Sequence, residues 1–70
     1  MVIDMVFVVI DNDEKIRKFK TLERAEKFMA KKDGVYFVFQ RVFLTVYVGV
    51  YESKNGHLER KKVEHVHYDI

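Results

Sequence analysis

Apolar residues in this chain come in blocks whose spacing changes from strand-like to helical and back. Val2–Ile10 is apolar on both sides from Met5 onward, which predicts a strand lying inside a sheet. The acidic cluster Asp11-Asn12-Asp13-Glu14 follows as a turn. Lys15–Lys20 predicts a short second strand at an edge, where its lysines discourage further pairing. At Thr21 the period becomes helical. Leu22, Ala25, Phe28 and Met29 fall on one face, Thr21 is placed to cap the first turn, and Lys31-Lys32 suit the negative end of the helix dipole. The predicted helix is 22–32, with Gly34 as its C-terminal stop.

Val35–Tyr51 departs most from an ordinary small domain. Only Gln40, Arg41 and Thr45 are polar, and valine, phenylalanine and tyrosine dominate the rest. That composition is strand-forming. As a single strand it would reach roughly 55 Å at about 3.3 Å per residue, twice the roughly 28 Å diameter of a compact domain of this length. A division near Gln40-Arg41 gives strands over 35–40 and 42–52, with a bulge, a bend or exchange with another chain as rivals, because no Gly or Asn marks a tight turn there. Asn55-Gly56 is the strongest hairpin signal and joins this segment to a last strand, His57–Tyr68.

The register of that hairpin decides which side chains share a face, since a one-residue slip exchanges the faces. A two-residue turn at Asn55-Gly56 pairs Lys54 with His57 and sets Val46 and Leu44 opposite His65 and His67. A three-residue loop with Gly56 in a left-handed bulge position pairs Ser53 with His57, Leu44 with Val66 and Val42 with Tyr68. The second separates apolar from polar residues more cleanly and is the register expected here. It turns the valines inward under the helix and leaves Phe43, Tyr47, Tyr51, His65 and His67 on an open face.

The pattern thus predicts one α+β domain spanning residues 1–70: an antiparallel sheet of four to five strands with one helix packed on one face, in the order ββαβββ. Seventy residues support a small core near the lower size limit for folding without staples. Without cysteine there is neither a disulfide framework nor a thiolate metal site. Met1–Ile10 holds Asp4 and lacks a basic leader, so it does not read as a secretion signal, and a cytoplasmic location is expected. Thirteen Lys and Arg against eleven Asp and Glu give a net charge of +2, too mild to argue for nucleic acid on charge alone.

Candidate chemistry is sparse. His65, His67 and Asp69 alternate along one strand and could bring two imidazoles and a carboxylate to a divalent metal, but three strand positions in a row rarely converge on one ion, and the plainer reading is the polar side of a terminal strand. Ser53 has no nucleophile elbow around it, three glycines make no phosphate-cradling loop, and the acids at 11–14 lack the rest of a calcium loop. No catalytic residue, cofactor, metal or small-molecule substrate is assigned. The expectation is a non-enzymatic module that homodimerises or binds a protein through Phe43, Tyr47, Tyr51, His65 and His67, of the kind common among accessory proteins of phages, plasmids and archaeal viruses. The alternative is a nucleic-acid binder that stacks bases on the same aromatics, with Arg41, Arg60, Lys61 and Lys62 supplying charge.

One local resemblance stands out. Phe19-Lys20-Thr21-Leu22-Glu23-Arg24-Ala25-Glu26-Lys27-Phe28 resembles the FKT-x-x-EA-x-x-F element of the small hybrid-binding N-terminal domains of eukaryotic ribonucleases H. It covers ten residues, and the segments before and after it do not follow that family's pattern, so no functional residue is carried over.

Overall fold

The computed structural model describes residues 6–42 and 44–67. Its order is β1 (Phe7–Ile10), β2 (Ile16–Phe19), α1 (Leu22–Ala30), β3 (Gly34–Val42), β4 (Thr45–Lys54) and β5 (His57–His67), the expected ββαβββ α+β arrangement. Five strands form one antiparallel sheet in the order β2-β1-β3-β4-β5. Two-sided β1 is an inner strand and β2, which holds Lys18 and is flanked by Lys15 and Lys20, an edge, as the pattern predicts.

The first hairpin closes through a three-residue loop, with Glu14 at φ 60. The Asp11 carboxylate accepts from the backbone N–H groups of Asp13 at 2.9 Å and Lys15 at 3.0 Å, so this acid holds the turn together. Thr21 caps α1, its hydroxyl accepting from the Arg24 N–H at 3.2 Å. The helix stops at Ala30 with Lys31 as its cap, three residues before Gly34. Gly34 instead opens β3 at φ 151, where a Cβ would lie 3.2 Å from the Asn12 side-chain nitrogen. The glycine is needed for entry into the strand, not for the end of the helix.

The long apolar run folds back on itself within the domain. Its turn comes later than Gln40-Arg41: both belong to β3, and Val42 pairs with Thr45 across a two-residue connection containing Leu44. Nothing in those side chains demands positive φ, which is why the turn leaves no mark in the sequence.

The last hairpin corrects the expected register. Asn55 and Gly56, at φ 54 and 79, form a two-residue turn, and Lys54 pairs with His57. The irregularity lies further on, in β5: Tyr51 pairs with Arg60 but Val50 with Lys62, which leaves Lys61 as an extra residue. Beyond it Val46 meets Val66, Tyr47 meets His65 and Thr45 meets His67. The bulge has an electrostatic rationale. Glu52 and Glu59 sit directly opposite, a repulsive pairing, and the additional residue brings the Lys61 ammonium to 3.2 Å from Glu59 and 3.9 Å from Glu52.

The helix covers the opposite face from the one expected. Val9, Tyr36, Val38 and Tyr51 are buried with Ala25 and Met29, and Phe7, Phe19, Phe28 and Leu58 pack around them. Tyr51 retains only 5% exposure. Connectivity explains this. β2 and β3 are both antiparallel to β1, hence parallel to one another, and α1 crosses over β1 between them. Such crossovers take one hand almost without exception, so topology chooses the covered face even when both faces are equally apolar. Gly49 then makes room for a large side chain: the Tyr51 ring lies across it.

Candidate interaction surfaces

Registering the strands against one another places every side chain on one of two faces. On the face away from α1, two rows cross the whole sheet. One runs Ile16, Ile10, Phe37, Val50, Lys62; the other runs Lys18, Val8, Phe39, Val48, Glu64. A third row, Arg41, Val46 and Val66, flanks them on one side, and Val35, Glu52 and Glu59 flank them on the other. The centre of this face is apolar on β1, β3 and β4, the rows reach Lys18 on β2 and end in Lys62 and Glu64 on β5, and no described element lies over the centre. Phe37 is 41% exposed at its middle and Val66 50% at its margin. Its charges are peripheral and partly paired within the chain, Lys62 with Glu64 at 2.8 Å and Lys61 with Glu59. The Glu64 carboxylate bonded to it raises the Lys62 pKa above its ordinary value.

The residues expected to form an open aromatic face are divided by the structure. Tyr51 is in the core, so its proposed outward role is overturned. Phe43 lies outside the described residues. Tyr47, 42% exposed, sits past the helix with its ring centroid 6.1 Å from that of His65. The Thr45 hydroxyl is 2.9 Å from His67 Nδ1. These four form a small polar-aromatic cluster where the β4–β5 ladder runs past α1. Between it and the helix start is a shallow groove of about 180 Å³ whose lining includes Phe7, Leu22, Gln40 and Arg60.

The basic set is divided too. Arg60 shares the helix-side face with Tyr51, whereas Lys61 and Lys62 reach the carboxylates of Glu52, Glu59 and Glu64, and Arg41 stands beside Val46 on the uncovered face. The bulge at Lys61 therefore separates Arg60 from its two neighbours, and no single surface collects the tyrosines with all four cations. Asp69 lies outside the described residues, and among the described residues no three His, Cys, Asp or Glu side chains gather as a metal-ligand group.

Sequence reasoning missed Phe37, Phe39, Val48 and Val50 as the middle of the uncovered face, where Phe37 is exposed and the other three are half-buried. The two-sided apolarity of β3 carried the signal that a second surface existed. The crossover from β2 to β3 was the information needed to say which face it was.

The element Phe19–Phe28 has a local physical account: Phe19 ends β2, Thr21 caps α1, and the Phe19 and Phe28 rings pack at 5.3 Å with Arg17 5.4 Å above Phe28. Among the described residues no helix is long and apolar enough to cross a membrane. In comparisons with protein-family models, curated proteins and solved structures, the chain matches none of them.

Proposed function

We propose that this protein is a non-enzymatic interaction module that docks another protein surface on the sheet face opposite its helix. The observation that carries this reading is the apolar middle of two rows centred on Phe37 and Phe39, with Phe37 exposed and its neighbours half-buried, over which no described element lies while the helix covers the other side. At about 4.8 Å between strands and about 6.6 Å between same-face positions the whole face covers about 480 Å² in plan, of which the ten apolar positions from Ile16 to Val66 make up about 320 Å². The largest apolar patch on a monomeric protein is about 300–600 Å² and is often a binding surface. The polar margin around an apolar centre is the usual layout of an interface.

Carbene footprinting tests the reading. Labelling of Phe37, Phe39, Val48 and Val50 is compared with labelling of Val63, which is exposed on the helix side. Labelling of the four that falls as the protein is concentrated or extract is added, while labelling of Val63 holds, is the expected outcome. Equal and unchanging labelling under all conditions would contradict it.

A further inference from the structure

Resting on that docking face, we infer that its occupant is a second copy of this chain, seated face to face so that two five-stranded sheets enclose a common core. Three observations select a copy over another partner.

The first is area. Two faces of about 480 Å² in plan, charged rim included, sum to about 1,000 Å² before corrugation is counted, the threshold for a specific interface. The chain as a whole exposes 5539 Å², against about 4,600 Å² for a compact protein of its mass.

The second is self-complementarity of charge. The rim carries Lys18, Arg41, Lys61 and Lys62 against Glu52, Glu59 and Glu64, close to balance. A polyanion would call for a cationic rim, and a strongly charged protein for a rim of the other sign. A two-fold axis parallel to the strands lays the β2 edge of one copy over the β5 edge of the other. Lys18, at one end of its row, then approaches Glu64 of the second copy, at the other end of the same row. Each copy supplies both halves of this contact.

The third is the size of the core. Among the described residues the buried apolar cluster on the helix side comprises Val9, Ala25, Met29, Tyr36, Val38 and Tyr51, with Phe7, Phe19, Phe28 and Leu58 partly buried against it. That is slight for a five-stranded sheet in a domain near the lower limit of independent stability. Sheet-on-sheet packing about 10 Å apart, at roughly −30°, would bury Phe37, Phe39, Val48 and Val50 between two layers and supply a second core.

Sedimentation velocity from low nanomolar to high micromolar protein tests this, with circular dichroism confirming that each variant is folded. Wild type should dimerise. Phe37→Glu, at an exposed site where folding tolerates it, should weaken the dimer by roughly 30-fold or more, as loss of a central anchor does. Val48→Lys should act the same way, and Val63→Lys should leave the dimer intact. A monomer throughout overturns the second copy as occupant. In that case, persisting protection of the face in extract keeps the docking reading, and its absence removes that reading as well. A dimer that survives both Phe37→Glu and Val48→Lys uses some other surface and overturns the inference directly.

Discussion

Gly49→Ala separates the two ways this sheet can face its helix. A Cβ at position 49 would stand 2.8 Å from Tyr51 Cε1, about 0.7 Å inside an ordinary carbon–carbon contact of about 3.5 Å. The ring cannot swing outward freely, since Tyr51 is almost fully buried in the cluster beneath α1. Overpacking of this kind costs about 1–3 kcal/mol. Replacing a strand glycine returns about 0.5–1 kcal/mol of backbone entropy, so the net destabilisation should lie between about 0 and 2.5 kcal/mol, about 1 kcal/mol at the middle of both ranges. For a domain of this size that middle value lowers Tm by roughly 5–10 °C. Thermal and urea unfolding at one fixed protein concentration read the effect, because association would shift both. The same substitution in a Tyr51→Leu background should lose most of its penalty, a coupling expected only if ring and methyl compete for one space. Were the tyrosine face open to solvent, the added methyl would meet a movable ring and raise stability. A higher Tm for Gly49→Ala, or a change in Tm that is the same with and without Tyr51→Leu, would therefore refute the assignment of faces.

Three further outcomes follow from individual groups. Thr21→Ala removes the acceptor for the Arg24 N–H and should cost about 1 kcal/mol, checked by urea midpoint; no change would mean that the cap contributes nothing. Among the described residues the buried Ser53 hydroxyl finds no hydrogen-bond partner, so Ser53→Ala should stabilise by up to about 1 kcal/mol by removing an unmet desolvation cost; a destabilised variant would show that the hydroxyl is satisfied in solution. Tyr36 donates its hydroxyl to the Lys32 carbonyl at 2.6 Å, and burial, then the Asp11 and Asp33 charges, push its pKa above the ordinary 10.0. The folded state thus keeps this proton where the unfolded chain releases it. Its stabilisation is whole below pH 10.0 and is lost as pH rises through the higher folded value. Tyr36→Phe should lose about 1 kcal/mol near neutrality and lack that part of the alkaline decline; parallel curves for the two proteins would contradict this.

Much of the fold was legible because local chemistry and tertiary role coincide. Thr21 is a cap by residue type and by geometry, the lysines in and beside β2 mark an edge, and Asn55-Gly56 is a hairpin turn wherever it occurs. Three features were not legible, each for a definite reason. The turn after Val42 uses residues without a preference for positive φ. The bulge at Lys61 answers a cross-strand repulsion between Glu52 and Glu59, which exists only once β4 and β5 are registered. The covered face was settled by the crossover from β2 to β3, a property of connectivity that no hydrophobic alternation encodes when both faces are apolar. That last point moved the candidate surface from Tyr51 and its neighbours to Phe37, Phe39 and the β4 valines. The length of the apolar run still pointed correctly to a sheet with more apolar surface than one helix can cover.

The central claim is that the Phe37–Phe39 face is where this protein meets its partner, and that the partner is its own kind. The most direct measurement is an isotope-filtered NOE experiment on a mixed sample of ¹³C-labelled and unlabelled protein. Intermolecular contacts linking the rings of Phe37 and Phe39 to the methyls of Val48 and Val50, with Val63 silent, are predicted. Intermolecular contacts confined to the β5 edge or to the Tyr47–His65 end of the ladder, or none at all at high concentration, would contradict the claim.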